Sequence, residues 1–177
     1  MFAERWKFAN PRLFPDRSAT GRVSRALLLI LVAFAAYASA YVWRTSFVLD
    51  GERYFTLFDD MMISMRYARN LAQGHGWVWN PGARVEGFSN PLWVLYMALA
   101  HLLPLTPARV SLCVQITGGL LLGANLYVVW KIAQRTTDGC RGSSLGAVFL
   151  TAFYLPLNTW GLQGTEVSLL TLILSIA

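Results

Sequence analysis

Two adjacent carboxylates, Asp59 and Asp60, open the helical part of the stretch FTLFDDMMISMRYARN at 55–70, and Arg66 and Arg69 follow them. Close carboxylates raise one another's pKa, so one of such a pair can accept a proton near neutral pH and act as a general base. The same oxygens can instead hold a hard divalent cation such as Mg or Mn. Glu86 adds an acid in a Gly-rich turn, and Arg66, Arg84 and Arg109 can grip a phosphate or pyrophosphate through charge-assisted hydrogen bonds. Acids beside arginines at a membrane surface suit a phosphorylated lipid donor and a hydroxyl acceptor. Surface salt bridging explains the same residues with less chemistry.

A helix over 59–73 must position these groups. Its period of 3.6 places Asp59, Ile63, Arg66 and Asn70 on one face, with Asp60, Ser64 and Tyr67 in the adjacent stripe. Gly74 is placed to end it. Thr56, three residues before Asp59, resembles a capping box, and an acid suits a helix N-terminus. That accounts for one aspartate and leaves the pair unexplained.

The surroundings are those of a membrane. Of the 177 residues 55% are hydrophobic and 14% charged, and the apolar ones come in long blocks. The net charge of +6 is concentrated near the start, where Arg5, Lys7, Arg12, Arg17, Arg22 and Arg25 face only Glu4 and Asp16. A basic segment abutting an apolar run is the positive-inside signature, which argues against nucleic-acid binding and for a cytoplasmic N-terminus. The expected topology is a basic cytoplasmic segment over 1–25, a first span over 26–43 and an outer loop over 44–109. A second span over 110–130, a cytoplasmic loop over 131–143 and a third span over 144–161 follow. A short outer loop over 162–166 then leads to the start of a fourth span over 167–177. This ordering keeps Lys131, Arg135 and Arg141 inside and returns Glu166 to the side of Asp59. It requires NPLWVLYMALAHLLPL, bounded by Pro91 and Pro104, to lie along the membrane as a juxtamembrane helix. "ASA" at 38–40 resembles a signal-peptidase site, but the long basic lead and the later spans favour an uncleaved anchor.

Within the spans, Gly119-x-x-x-Gly123 is read as close helix packing, and Gln115 and Asn125 as interhelical hydrogen bonds. Cys113 and Cys140 are expected at different depths, and their spacing points to neither a disulfide nor a metal site. His75, between two glycines, is read either as an exposed loop residue or as a group that orients substrate, and His101 as a packed or interfacial side chain. Glu166 flanks the membrane, where an acid is costly and often functional.

The run FDDMMISMRYARNLAQGHGWVWNPGARVEGFSNPLWVL closely resembles the first-loop signature of the GT-C glycosyltransferases, nearest to the mycobacterial terminal arabinofuranosyltransferase family. Its elements are Asp59-Asp60, Arg66-Tyr67-x-x-Asn70, Gly74-His75-Gly76, Asn80-Pro81-Gly82, Val85-Glu86-Gly87 and Asn90-Pro91-Leu92-Trp93. The resemblance implies an all-α polytopic membrane protein with juxtamembrane helices in its first outer loop. It also implies an enzyme of the bacterial inner membrane that moves a sugar from a polyprenyl-phosphate donor to a glycan, lipid or protein acceptor. Asp59 and Asp60 would then be catalytic base or metal ligands. A later Gly-x-Glu motif carries over to Gly164-Thr165-Glu166, with Thr165 where the family has Leu or Met. Arg66, Asn70, His75, Asn80, Arg84, Glu86, Asn90 and Arg109 fall to substrate binding. The apolar run after Glu166 is shorter than a span, so the chain is expected to be the N-terminal portion of a longer protein and inactive by itself. The competing reading is a non-catalytic assembly or flagellar-motor accessory protein on the same scaffold.

Overall fold

The computed structural model describes residues 25–83 and 85–177. The basic segment over 1–24, and with it the cytoplasmic end of the expected topology, lies outside the described residues, as does Arg84. The apolar block ahead of Arg44 forms α1 (Arg25–Arg44). A hairpin of β1 (Phe47–Leu49) and β2 (Glu52–Tyr54) follows. The charged stretch forms α2 (Asp59–Ala72), and the proline-bounded stretch forms α3 (Pro91–His101). The chain continues through α4 (Pro107–Thr136), α5 (Arg141–Ala152), α6 (Leu155–Leu162) and α7 (Val167–Ile176).

The hairpin corrects the all-α expectation. Asp50 and Gly51 both have positive φ, 50° and 79°. An Asp-Gly pair takes that conformation readily, and its twist matches the strands it joins, pairing Phe47 with Tyr54 and Leu49 with Glu52. Thr56 is a second correction, because its hydroxyl donates to the Thr45 carbonyl (2.6 Å) and makes no cap. The N-cap of α2 is Phe58, with no side-chain cap bond. The helix does end at Gly74 (φ 80°). There the His75 amide bonds Asn70 O (2.9 Å) and the Gly74 amide bonds Leu71 O (3.0 Å), the paired bonds of a Schellman turn.

Two helices, α1 and α4, are long and apolar enough to cross a membrane. At 30 residues α4 outruns the expected span over 110–130; it is about 45 Å long at about 1.5 Å per residue. The expected straight span over 144–161 is broken instead, with α5 and α6 meeting at 51°. Pro156 has no amide proton to give, and its ring would crowd the carbonyl four residues back. That carbonyl, Ala152 O, accepts the buried Asn158 amide (2.9 Å) in compensation.

α4 is the common spine. Its first half packs against α2 and α3 around Met61, Met65, Tyr67, Trp93, Val94 and Met97. Its second half packs with α1, α5 and α6 around Phe34, Leu122, Leu126, Trp130 and Val148. The tight approach is at Gly118 rather than at the expected Gly119/Gly123 pair. A Cβ on Gly118 would lie 2.2 Å from the Gly161 carbonyl oxygen, whereas Gly123 has nothing within 4 Å. The polar pair within α4 also departs from expectation. Gln115 donates to the Thr56 carbonyl (2.8 Å) rather than to a helix, and its Oε1 and Asn125 Oδ1 are buried without a partner among the described residues.

Candidate functional site

The centre of the site is Asn90, at the N-cap of α3. Asparagine there ordinarily accepts from the helix's own first amides. Asn90 makes no such bond. Its Oδ1 accepts the buried Ser64 hydroxyl of α2 (3.0 Å), and its Nδ2 donates to Glu166 Oε2 (2.9 Å). One amide thereby joins α2, 26 residues before it, to the start of α7, 76 residues after it.

The turn that presents Glu166 is fastened at several points. The Phe58 amide donates to Gln163 O (3.0 Å), one residue before Asp59. The buried Trp93 indole donates to Gly164 O (2.7 Å), as an indole N–H generally must when it leaves water. Gly164 has φ 86°, and a Cβ there would meet Leu57 Cδ2 at 2.6 Å and Val114 Cγ1 at 3.2 Å. Thr165 is buried, and its hydroxyl donates to Trp160 O (2.9 Å). That bond gives a local reason for threonine where the resembled family has an apolar residue.

Asp59 and Asp60 stand exposed in the first turn of α2, and Asp59 Oδ1 accepts the Asp60 amide (3.0 Å). The stripe expected from periodicity divides by environment: Asp60 is exposed while Ser64 and Tyr67 are buried. Among the described residues no three His, Cys, Asp or Glu side chains gather closely enough to hold a metal ion. Asp59, Asp60 and Glu166, each a candidate ligand for a divalent cation, are not drawn into one three-acid cluster here.

The C-terminal half of α2 holds the 76–88 loop. Arg66 donates through Nε to Trp79 O (3.0 Å) and through Nη2 to Asn80 Oδ1 (2.6 Å), and its guanidinium lies 4.3 Å from the Trp79 ring centroid. Asn70 donates to Val78 O (2.7 Å) and Trp79 O (3.0 Å), and Tyr67 to Val85 O (2.7 Å). Asn70 and Asn80 thus have loop-holding roles, while Arg66 remains exposed with Nη1 free of described partners. His75, Glu86 and Arg109 are exposed. His101 packs its Nε2 against Met65 Sδ (3.0 Å), and burial, aided by the Arg69 charge, holds its pKa below the ordinary value.

Spacing along α2 did not single out Ser64, Trp93 or Thr165 as partners of the Glu166 turn. Ser64 and Trp93 are buried polar groups whose partners lie far along the chain, whereas Thr165 bonds Trp160 five residues back.

No protein-family model, no curated protein and no solved structure matches the chain significantly. Its class rests on its own features: a mostly helical chain with two helices able to span a membrane and a polar site where α2, α3 and α7 meet.

Proposed function

We propose that the chain is the site-bearing part of an integral-membrane glycosyltransferase of the GT-C kind. It would take a sugar from a polyprenyl-phosphate donor and pass it to a glycan, lipid or protein acceptor at the outer face of the bacterial inner membrane. The observation that carries this reading is the Asn90 bridge, which brings the Gly-Thr-Glu motif to the helix bearing Asp59 and Asp60. Motifs that matter only as sequence have no reason to meet through a buried amide.

In the proposed reaction Asp59 or Asp60 takes the proton of the acceptor hydroxyl, and the oxygen bonds to the anomeric carbon. The bond from that carbon to the donor's phosphate oxygen breaks, and polyprenyl phosphate leaves with the electron pair. Arg66, through its free Nη1, and Arg109 would stabilise the charge growing on the phosphate. A divalent cation on Asp59 or Asp60 would add to the same charge stabilisation at the donor's phosphate.

The test is sugar transfer from a synthetic polyprenyl-phosphate sugar by the full-length membrane enzyme in lipid. Asp59→Asn or Asp60→Asn keeps side-chain size but cannot take the proton, so at least one should lower turnover by about 10²–10⁴-fold with membrane levels unchanged. Near-parental turnover in both variants removes the pair from the mechanism. No transfer by the parent enzyme from any such donor favours the non-catalytic reading. The accompanying orientation is checked by an Asp138→Cys variant lacking the native cysteines, which should be labelled only from the cytoplasmic side.

A further inference from the structure

A cavity of about 730 Å³ runs between α1 and α4, and none of the Asn90 bridge residues lines it. Its walls extend from Leu31 to Trp43 on α1 and from Leu112 to Ala124 on α4, with Gly119 and Gly123 among the lining residues. Twelve residues of helix rise about 18 Å on either wall. That length is close to one leaflet, half of a hydrocarbon core about 30 Å thick. A crossing helix would need a seat along the whole core.

The section of the trough also suits a slimmer occupant. A volume of about 730 Å³ spread over that length, about 18 Å, gives about 40 Å². A helix with side chains, about 10–12 Å across, needs about 80–110 Å². A hydrocarbon chain packed at contact distances of about 4–4.5 Å needs about 16–20 Å². Two chains fill the trough.

One end of the trough is polar. Phe55 and Trp43 line it beside Gln115, whose amide is tied to the Thr56 carbonyl (2.8 Å). Gln115 is 1% exposed, and its Oε1 has no donor among the described residues. An unpartnered buried amide oxygen is costly. With Nε2 held by the Thr56 carbonyl, Oε1 is the group left to accept from an occupant that carries a donor. Arg53 stacks over Trp43 at 3.9 Å from the ring centroid, and Arg44 ends α1 at the same level. Two cations there complement a phosphate.

We infer that this trough binds one two-chain phospholipid whose headgroup carries a hydrogen-bond donor, with its chains between α1 and α4 and the donor on Gln115. The site is independent of the proposed transferase activity, because it needs neither the aspartates nor Glu166.

The test is native mass spectrometry of the purified protein in mild detergent, titrated with dioleoyl phosphatidylethanolamine, which has a donor, or dioleoyl phosphatidylcholine, which has none. One molecule of the first should be retained per chain, about tenfold more tightly than the second, the worth of one hydrogen bond. Gln115→Leu should erase that preference. Gly123→Leu fills the trough where a Cβ meets nothing within 4 Å, and should release the lipid while the melting temperature holds. Ala35→Leu, on the opposite wall, should do the same. Equal retention by the two filling variants and the parent, or no preference between the lipids, overturns the assignment. A Leu120→Cys variant, lacking the native cysteines, that forms disulfide dimers lost on Gly123→Leu also overturns it, by giving the trough to a helix of a second copy.

Discussion

Gly164→Ala tests whether the turn before Glu166 is held as tightly as its geometry requires. Two costs add. Alanine at φ 86° must adopt a left-handed backbone, which costs about 1–2 kcal/mol for an L-residue. Its methyl would also sit 2.6 Å from Leu57 Cδ2 and 3.2 Å from Val114 Cγ1. Leu57 is 6% exposed and Val114 is fully buried, so neither has free space to retreat into. Overpacking of that kind costs about 1–3 kcal/mol. The sum, about 2–5 kcal/mol, corresponds to a fall in Tm of about 5–15 °C for a chain of this size. Thermal unfolding of the purified protein in detergent measures it, with Gly123→Ala as the control. Gly123 lies within α4 with open space around it, so alanine there should gain about 1 kcal/mol of helix propensity. A Gly164→Ala protein that melts within a degree of the parent would refute the claim that this turn is packed against Leu57 and Val114.

The remaining expectations concern the bridge, the arginine and the histidine. Asn90→Leu keeps volume but leaves the buried Ser64 hydroxyl and the Glu166 carboxylate without their partner, so stability should fall by about 2–4 kcal/mol in denaturant titration; an unchanged midpoint would mean the bridge contributes nothing. Arg66→Lys keeps the charge but loses the fork that reaches both Trp79 O and Asn80, so proteolysis within the 76–83 loop should accelerate, and equal cleavage rates would count against its loop-holding role. For His101 the folded pKa lies below the ordinary 6.5 because burial, with a smaller push from Arg69, outweighs the Met65 bond, so the unfolded chain takes up the proton more readily. Stability present above that value should be lost as pH falls below it toward the folded pKa, and His101→Gln should flatten Tm against pH across that window.

Hydropathy and punctuation alone determined a good deal of this protein. The uncharged blocks foretold α1 and α4, the proline-bounded block foretold α3, and Gly74 marked the end of α2, because each signal acts through its own few residues. Two further features were local and legible in kind: the Asp50-Gly51 hairpin, and the break that Pro156 makes in the last apolar block. Tertiary structure decided the rest. Asn90 stood in the sequence as a substrate-binding candidate, and only the approach of α2 and α7 made its amide a bridge between Ser64 and Glu166. Gly118 became the close contact in place of its neighbours because Gly161 lies against it. Thr56 left its expected cap for the Thr45 carbonyl, and Gln115 took the Thr56 carbonyl in turn. A buried polar group must be partnered, yet which partner it finds depends on which distant segments packing brings within about 3 Å, and periodicity along the chain does not encode that.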